Sequence, residues 1–135
     1  MPGSFFDTNI LLYTISSDAD KADRAERLIN EGGTISVQVL NEIANVAWRK
    51  MRFSWGGMHR LLARVRQLLP VIPLTIEIHE TSLVLAERYG LSVYDAMIAA
   101  AALVAGCDTL WSEDIQHGLV IEGRLRVVNP FGAPD

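Results

Sequence analysis

One cysteine, Cys107, and three scattered histidines are all that this chain of 135 residues offers as nitrogen and sulfur metal ligands. A lone cysteine excludes an intramolecular disulfide framework and a cysteine-based zinc site, and it fits a reducing compartment. His59, His79 and His117 lie too far apart for paired ligand spacing. Neither G-x-G-x-x-G nor G-x-x-x-x-G-K-S/T occurs, which sets aside dinucleotide-binding and P-loop readings. The longest apolar run, Ala96 to Ala105, is too short to span a bilayer. The start lacks a cationic segment and Asp7 interrupts its apolar stretch, so no secretory signal is expected. Repeats, linkers and low-complexity segments are also missing. These absences lead to the expectation of a soluble cytoplasmic protein.

Half of the residues are hydrophobic and 21% are charged, the balance of an ordered globular chain long enough to bury a core as one domain over 1–135. The net charge of −4 argues only weakly against a nucleic-acid partner, because the distribution is uneven. Between Glu42 and Glu77 there is no acidic residue, and that window holds Arg49, Lys50, Arg52, Arg60, Arg64 and Arg66, half of the twelve Lys and Arg. Such a run is either a solvated helical face or a basic strip beside an acidic centre.

Ser4 to Phe6 reads as a short buried strand ending at Asp7. Helical spacing follows over Thr8 to Ile15 and Asp20 to Asn30, with Asp18 or Asp20 as N-cap and Gly32-Gly33 as the stop. Thr34 to Val37 reads as a second strand. Ser36 then caps a helix to about Met51 whose apolar face is Val37, Leu40, Ala44, Ala47 and Met51. A turn at Ser54-Trp55-Gly56-Gly57 leads to a helix with Leu61, Leu62, Val65, Leu68 and Leu69 apolar. Pro70 to Leu74 reads as a strand at a sheet edge, since Pro73 has no amide hydrogen to donate. Thr75 to Tyr89 is helical up to Gly90, and Ser92 opens an Ala-rich helix closed by Gly106. Thr109 to Ser112 and Leu125 to Val128 are the last strands. Strands alternating with helices predict an α/β fold, a short and mainly parallel sheet flanked by helices.

In such folds ligands bind beyond the carboxyl ends of the strands, where Asp7 and Asp114 fall, with Asp95 in the first turn of the preceding helix. Each has a structural reading. Asp7 can cap a helix, Ser92-Val93-Tyr94-Asp95 is a capping-box variant, and Asp114 can be a turn residue. Glu42 is mid-helix, off the apolar face, on a stripe with Gln38, Asn45 and Arg49, where it caps nothing and its structural reading is an ordinary exposed glutamate. Converging carboxylates repel and raise a pKa. A hard divalent ion such as Mg²⁺ or Mn²⁺ takes oxygen ligands, removes that conflict and activates water.

The segments FFDTNILLY, SVQVLNEIANV, LSVYDAMIAAAALVAGCDTLWSED and LRVVNPF, in this order over essentially the whole chain, resemble the PIN domain. Within that family they are most similar to the VapC-like toxins of type II toxin–antitoxin systems. The resemblance implies a metal-dependent endoribonuclease, one or two Mg²⁺ or Mn²⁺ ions, a cognate antitoxin whose tail lies across the site, and a homodimer. It matches Asp7, Glu42, Asp95 and Asp114 to the family acids, with Asp7 and Asp95 as the central ligands and Glu42 and Asp114 holding water or a second ion. Asn9 and Ser112 match supporting polar positions. Ser112-Glu113-Asp114 offers two adjacent acids; Asp114 keeps the Ser-x-Asp spacing, and Glu113 is a secondary candidate. In this light the six cations of the acid-free window are candidates for RNA or antitoxin contact, and Trp55 for base stacking or plain packing. A non-catalytic PIN-like binding module and an aspartate-nucleophile phosphatase are the rival readings. The phosphatase requires a second Asp two positions after the first, where Asn9 stands.

Overall fold

The structure, a computed structural model, describes residues 3–132. Its elements run in the order β1 (Ser4–Phe6), α1 (Thr8–Tyr13), α2 (Ala19–Asn30), β2 (Ile35–Ser36), α3 (Val37–Arg49), α4 (Trp55–Leu68), β3 (Val71–Ile72), α5 (Ile76–Tyr89), α6 (Val93–Val104), β4 (Thr109–Trp111), β5 (Val120–Ile121) and β6 (Leu125–Val128). The fold is α/β, as expected from the alternation of elements.

β4 lies between β1 and β6, parallel to both, and β5 closes the far edge antiparallel to β6. β2 and β3 form a second parallel pair. Thr34 joins the two sets: its amide donates to the Ser4 carbonyl (2.9 Å) and its carbonyl accepts from the Phe6 amide (3.1 Å). The resulting order is β3-β2-β1-β4-β6-β5, and the direction of winding reverses between β1 and β4. That junction is where a doubly wound sheet opens its crevice.

β1 is flanked on both sides, and Phe5 and Phe6 are both fully buried, as a central strand covered on both faces requires. Gly33 beside it has no room for a side chain, because an added Cβ would sit 2.4 Å from a ring carbon of Phe6 and 3.0 Å from the Ser4 carbonyl oxygen. α6 carries Ala96, Ala99, Ala100, Ala101 and Ala102 fully or nearly buried, and these small side chains let α5 and the sheet approach it closely. Ser92 and Thr75 cap α6 and α5 through their hydroxyls, and Gly90 ends α5 in the left-handed conformation at φ +67°. β3 has a single neighbour, as Pro73 predicted. Among the described residues no helix is long and apolar enough to cross a membrane.

Four local expectations are corrected. The buried face of α3 is Val39, Ile43 and Ala47, not the stripe through Val37, Leu40, Ala44 and Met51. α3 touches α1, α4, α6 and β2, and its apolar residues cover the whole side opposite the Gln38, Asn41, Glu42 and Asn45 stripe, so their periodicity does not fix which part of that side is most deeply buried. Ser36 stands at the N-cap of α3 but makes no capping hydrogen bond, and its hydroxyl is buried without a partner. Trp55, Gly56 and Gly57 are the first turn of α4, not a preceding loop. The Ser54 hydroxyl accepts from the Gly57 amide at 3.0 Å, which outweighs the poor helix propensity of glycine. β5 was not anticipated: it pairs only with β6, antiparallel, and Glu122 (φ +53°) and Gly123 (φ +66°) turn it into that strand.

Candidate active site

Strand pairing places the first two polar residues of the site. The Asp7 amide donates to the Trp111 carbonyl (2.9 Å) and the Ser112 amide to the Val128 carbonyl (3.0 Å), so both residues sit where β1 and β4 stop. Both side chains are buried. One carboxylate oxygen of Asp7, Oδ1, accepts from the Thr8 amide at 2.7 Å, which caps α1. The other, Oδ2, accepts from the Ser112 hydroxyl at 2.7 Å. The capping role is thus real and uses only half of the carboxylate. Ser112 Oγ in turn accepts from the Asp114 and Ile115 amides at 3.2 and 3.1 Å, so one hydroxyl orients Asp7 and shapes the turn that carries Asp114.

Glu42 reaches the same place from α3. Its Oε1 accepts from the Thr8 hydroxyl at 2.5 Å and its Oε2 from the Gln38 amide at 3.1 Å. Thr8 was not singled out from the sequence, since nothing local marks it except its place after Asp7. Gln38 was visible as the residue one turn before Glu42. A cleft of about 470 Å³ opens over these groups, lined by Thr8, Asn9, Gln38, Glu42, Asn45 and Asp114 among others, with Tyr94 at its side. A smaller groove of about 300 Å³ between α1, α2 and α4 is lined mainly by apolar residues such as Leu11, Ile15, Ile29 and Leu61, and it holds none of the four acids.

The electrostatics show what the four acids do to one another. Burial pushes the Asp7 carboxyl up to about 7; the charges of Asp95 and Glu42 add to the rise, and the hydrogen bonds from Ser112 and Thr8 oppose it. Burial also raises Asp95, and the charge of Asp114 adds to it. The four carboxylates thus form a chain of mutual repulsion centred on Asp7. Glu113 goes elsewhere: its carboxylate accepts from Tyr13 Oη at 2.5 Å and Lys21 Nζ at 3.0 Å, on the α1–α2 side. Partial burial pushes its carboxyl up, but these two bonds outweigh that and hold it below the usual carboxylate range. Arg49, Lys50, Arg52, Arg60, Arg64 and Arg66 are all exposed.

The donor set suits a hard divalent cation. Asp7 is a buried carboxylate with a displaced pKa and acidic neighbours. The Asn9 side chain, which lines the cleft, has both its amide nitrogen and its oxygen buried without a hydrogen-bond partner. Among the described residues, however, no three His, Cys, Asp or Glu gather around a single point as a closed cage. That arrangement fits an ion held by one or two carboxylates, with water and substrate oxygens completing its shell.

The chain matches the family model of the PIN domain over residues 4–119, and it belongs to that family. Among solved structures it is similar to a toxin–antitoxin complex from Klebsiella pneumoniae, at 24% identity and a TM-score of 0.69 over 96% of this chain and 99% of that one. It is similar to VapC20 of Mycobacterium tuberculosis, described as a sarcin–ricin loop cleaving toxin, at 19% identity and 0.66 over 82% and 91%. It is also similar to DNA-bound VapBC from Salmonella typhimurium, at 22% identity and 0.65 over 94% and 97%. At these identities the likeness is one of fold. None of the curated proteins compared matches the chain.

Proposed function

We propose that this chain is a divalent-metal-dependent endoribonuclease, the toxin of a type II toxin–antitoxin pair that acts in the cytoplasm as a homodimer. The observation that carries the reading is the burial of Asp7 beside Asp95 and Glu42 at the switch point of the sheet, with its carboxyl raised to about 7. A carboxylate kept there against desolvation and like charge is explained by a cation that it serves to hold. The toxin assignment is supported by family membership together with the similar structures, which are described as toxins and toxin–antitoxin complexes. The cognate antitoxin is the expected protein partner and RNA the substrate.

Asp7 and Asp95 would hold Mg²⁺ or Mn²⁺, with Glu42 and Asp114 at the rim of the cleft and the Asn9 amide beside them. One ion or two would supply Lewis acidity toward the phosphate and lower the pKa of water at the site. The protein's own part is orientation and proton management. Ser112 and the Thr8 amide fix both oxygens of Asp7, and a bound cation would favour its ionised form. Thr8 and Gln38 hold Glu42 through one oxygen each and leave it facing the cleft. Asp114, exposed at the mouth, would orient water or a second ion. No histidine or lysine is needed as nucleophile.

The test is incubation of purified protein with total cellular RNA in Mg²⁺, in Mn²⁺ and in EDTA. Discrete products in either metal and none in EDTA support the reading, and mapping their ends identifies the target. Absence of products together with absence of metal binding would replace it with the non-catalytic binding module.

A further inference from the structure

Two large aromatic side chains lie on the surface, stacked on each other. Trp48, in the last turn of α3, and Trp55, the first residue of α4, have ring centroids 4.3 Å apart at an interplanar angle of 26°, and they are 47% and 57% exposed. Indole is large and apolar, and a paired, half-exposed set is unlike the single apolar residues scattered over ordinary surfaces. The pair is held in place by backbone bonds across the α3–α4 connection. The Phe53 amide donates to the Ala47 carbonyl at 2.9 Å, the Met51 amide to the Val46 carbonyl at 3.1 Å, and Ser54 caps α4. Gly56 and Gly57 follow Trp55 with no side chain to cover it, at a cost in helix propensity.

The position of the pair relative to the cleft comes from helix geometry. Asn41 and Asn45 line the cleft, and Trp48 continues their row at the i, i+4, i+7 spacing, about 10 Å along the axis from Asn41. Arg49 stands one turn beyond Asn45. Lys50 and Arg52 are in the connection, and the Arg60 guanidinium lies 3.4 Å from where a Cβ on Gly56 would be, against the first turn of α4. None of these four cations forms an ion pair among the described residues, and no acidic residue stands between Glu42 and Glu77.

We infer that the Trp48–Trp55 pair is a stacking platform for unpaired RNA bases, with Arg49, Lys50, Arg52 and Arg60 gripping the phosphates of the strand that enters the carboxylate cleft. The inference rests on the nuclease reading for its substrate and adds a base-stacking surface outside the carboxylate cleft. Exposed aromatic rings take the faces of unstacked bases, which a duplex keeps buried, and a surrounding cationic field supplies sequence-independent attraction. A second copy of the chain fits the patch less well. A two-fold contact centred there would set these unpaired cations against their own counterparts.

The experiment is a titration of the protein in EDTA, followed by tryptophan emission, with a 12-nucleotide single-stranded RNA and with a duplex of the same length. Wild type is expected to show saturable quenching by the single strand and much weaker quenching by the duplex, with an affinity that falls as salt rises. Trp48→Leu and Trp55→Leu are each expected to weaken single-strand binding by on the order of tenfold with unchanged melting temperature, the scale of one lost base–aromatic stack. Equal response to single strand and duplex, or unchanged affinity in both variants, overturns the platform. So does sedimentation showing a wild-type dimer that both variants dissociate, because the patch is then a self-interface. The two readings fail separately. Quenching by single strands without metal-dependent cleavage keeps the platform and removes the nuclease; cleavage with KM unchanged in both variants does the reverse.

Discussion

The Ser112 hydroxyl donates to Asp7 Oδ2 at 2.7 Å, across the junction where the sheet changes its winding direction. Residues 105 positions apart in sequence are brought together because β1 and β4 are paired and both end there. The same oxygen accepts two backbone amides of the next turn, so its removal acts on three groups at once. Ser112→Ala is expected to cost about 1–3 kcal/mol of stability, the range for buried polar groups that lose a partner. It also removes a bond that lowers the Asp7 pKa, so the acidic limb of the activity profile moves to higher pH. Urea melts and a pH–rate profile check the two effects.

The Asp7 carboxyl predicts how stability and metal binding depend on pH. Its pKa is about 7 in the folded, metal-free protein against 3.8 for the free side chain. Between those values the folded state holds a proton that the unfolded state has lost, so the contribution of Asp7 to stability falls as pH rises from about 4 to about 7 and is level above. In EDTA, Asp7→Asn is expected to remove this fall and to be the more stable protein at pH 8, by a few kcal/mol. Melts at pH 5 and pH 8 in both proteins measure it. Mn²⁺ should bind wild type more tightly at pH 8 than at pH 6, with proton release at the lower pH. Affinity independent of pH would count against Asp7 as a ligand.

Thr8 is predicted to be a positioning residue. Thr8→Val keeps the shape of the side chain and removes the donor that holds Glu42 Oε1 at 2.5 Å. Metal affinity or cleavage is expected to fall about 10–100-fold, the usual effect of removing an outer-shell partner of a metal site. Thr8→Ser should restore most of it. Calorimetric metal titration of the three proteins is the check, and equal affinities in Val and Ser variants would leave Thr8 with a packing role alone.

The two adjacent acids of the Ser112-Glu113-Asp114 turn should behave differently. Glu113→Gln disturbs a partly exposed pair with Lys21 and a bond from Tyr13, so the loss of stability should stay under about 1 kcal/mol and cleavage should persist. Asp114→Asn should keep its stability and lose most of its cleavage. Parallel melting and cleavage assays separate the two, and the reverse pattern would move the site role to Glu113.

Gly33 should not accept a side chain. Gly33→Ala places a Cβ against the Phe6 ring and the Ser4 carbonyl, both part of β1, and is expected to destabilise by about 1–3 kcal/mol as overpacking does. Chemical denaturation measures it; a neutral effect would mean that β1 shifts freely, which its pairing on both sides opposes.

Much of this architecture was legible wherever one residue type decides a local event. Ser92, Thr75 and Gly90 mark helix ends by hydrogen-bond geometry and by φ, and the strands ending at Phe6 and Val128 are bounded by Asp7 and by Asn129-Pro130. What depended on a distant partner was not legible. The phase of α3 is set by the helices on its several sides, β5 exists only because β6 lies beside it, and Thr34 joins the two strand sets through backbone atoms that carry no sequence signal. In the candidate site, Asp7 and Asp114 could be singled out from their places after strands and Asp95 from a first turn, whereas mid-helix Glu42 was singled out by lying off the apolar face and by the resemblance. The grip of Thr8 and Gln38 on Glu42, and the swing of Glu113 toward Lys21, come from packing and had to be seen.

The central claim is that Asp7 and Asp95 hold a divalent cation. Its most direct test is a calorimetric titration of Mn²⁺ into wild type, Asp7→Asn and Asp95→Asn at pH 8, with melting curves on the same samples. Saturable binding in wild type that is lost in both variants, each still folded, is the predicted result. Equal binding in all three proteins, or none in wild type, would contradict it.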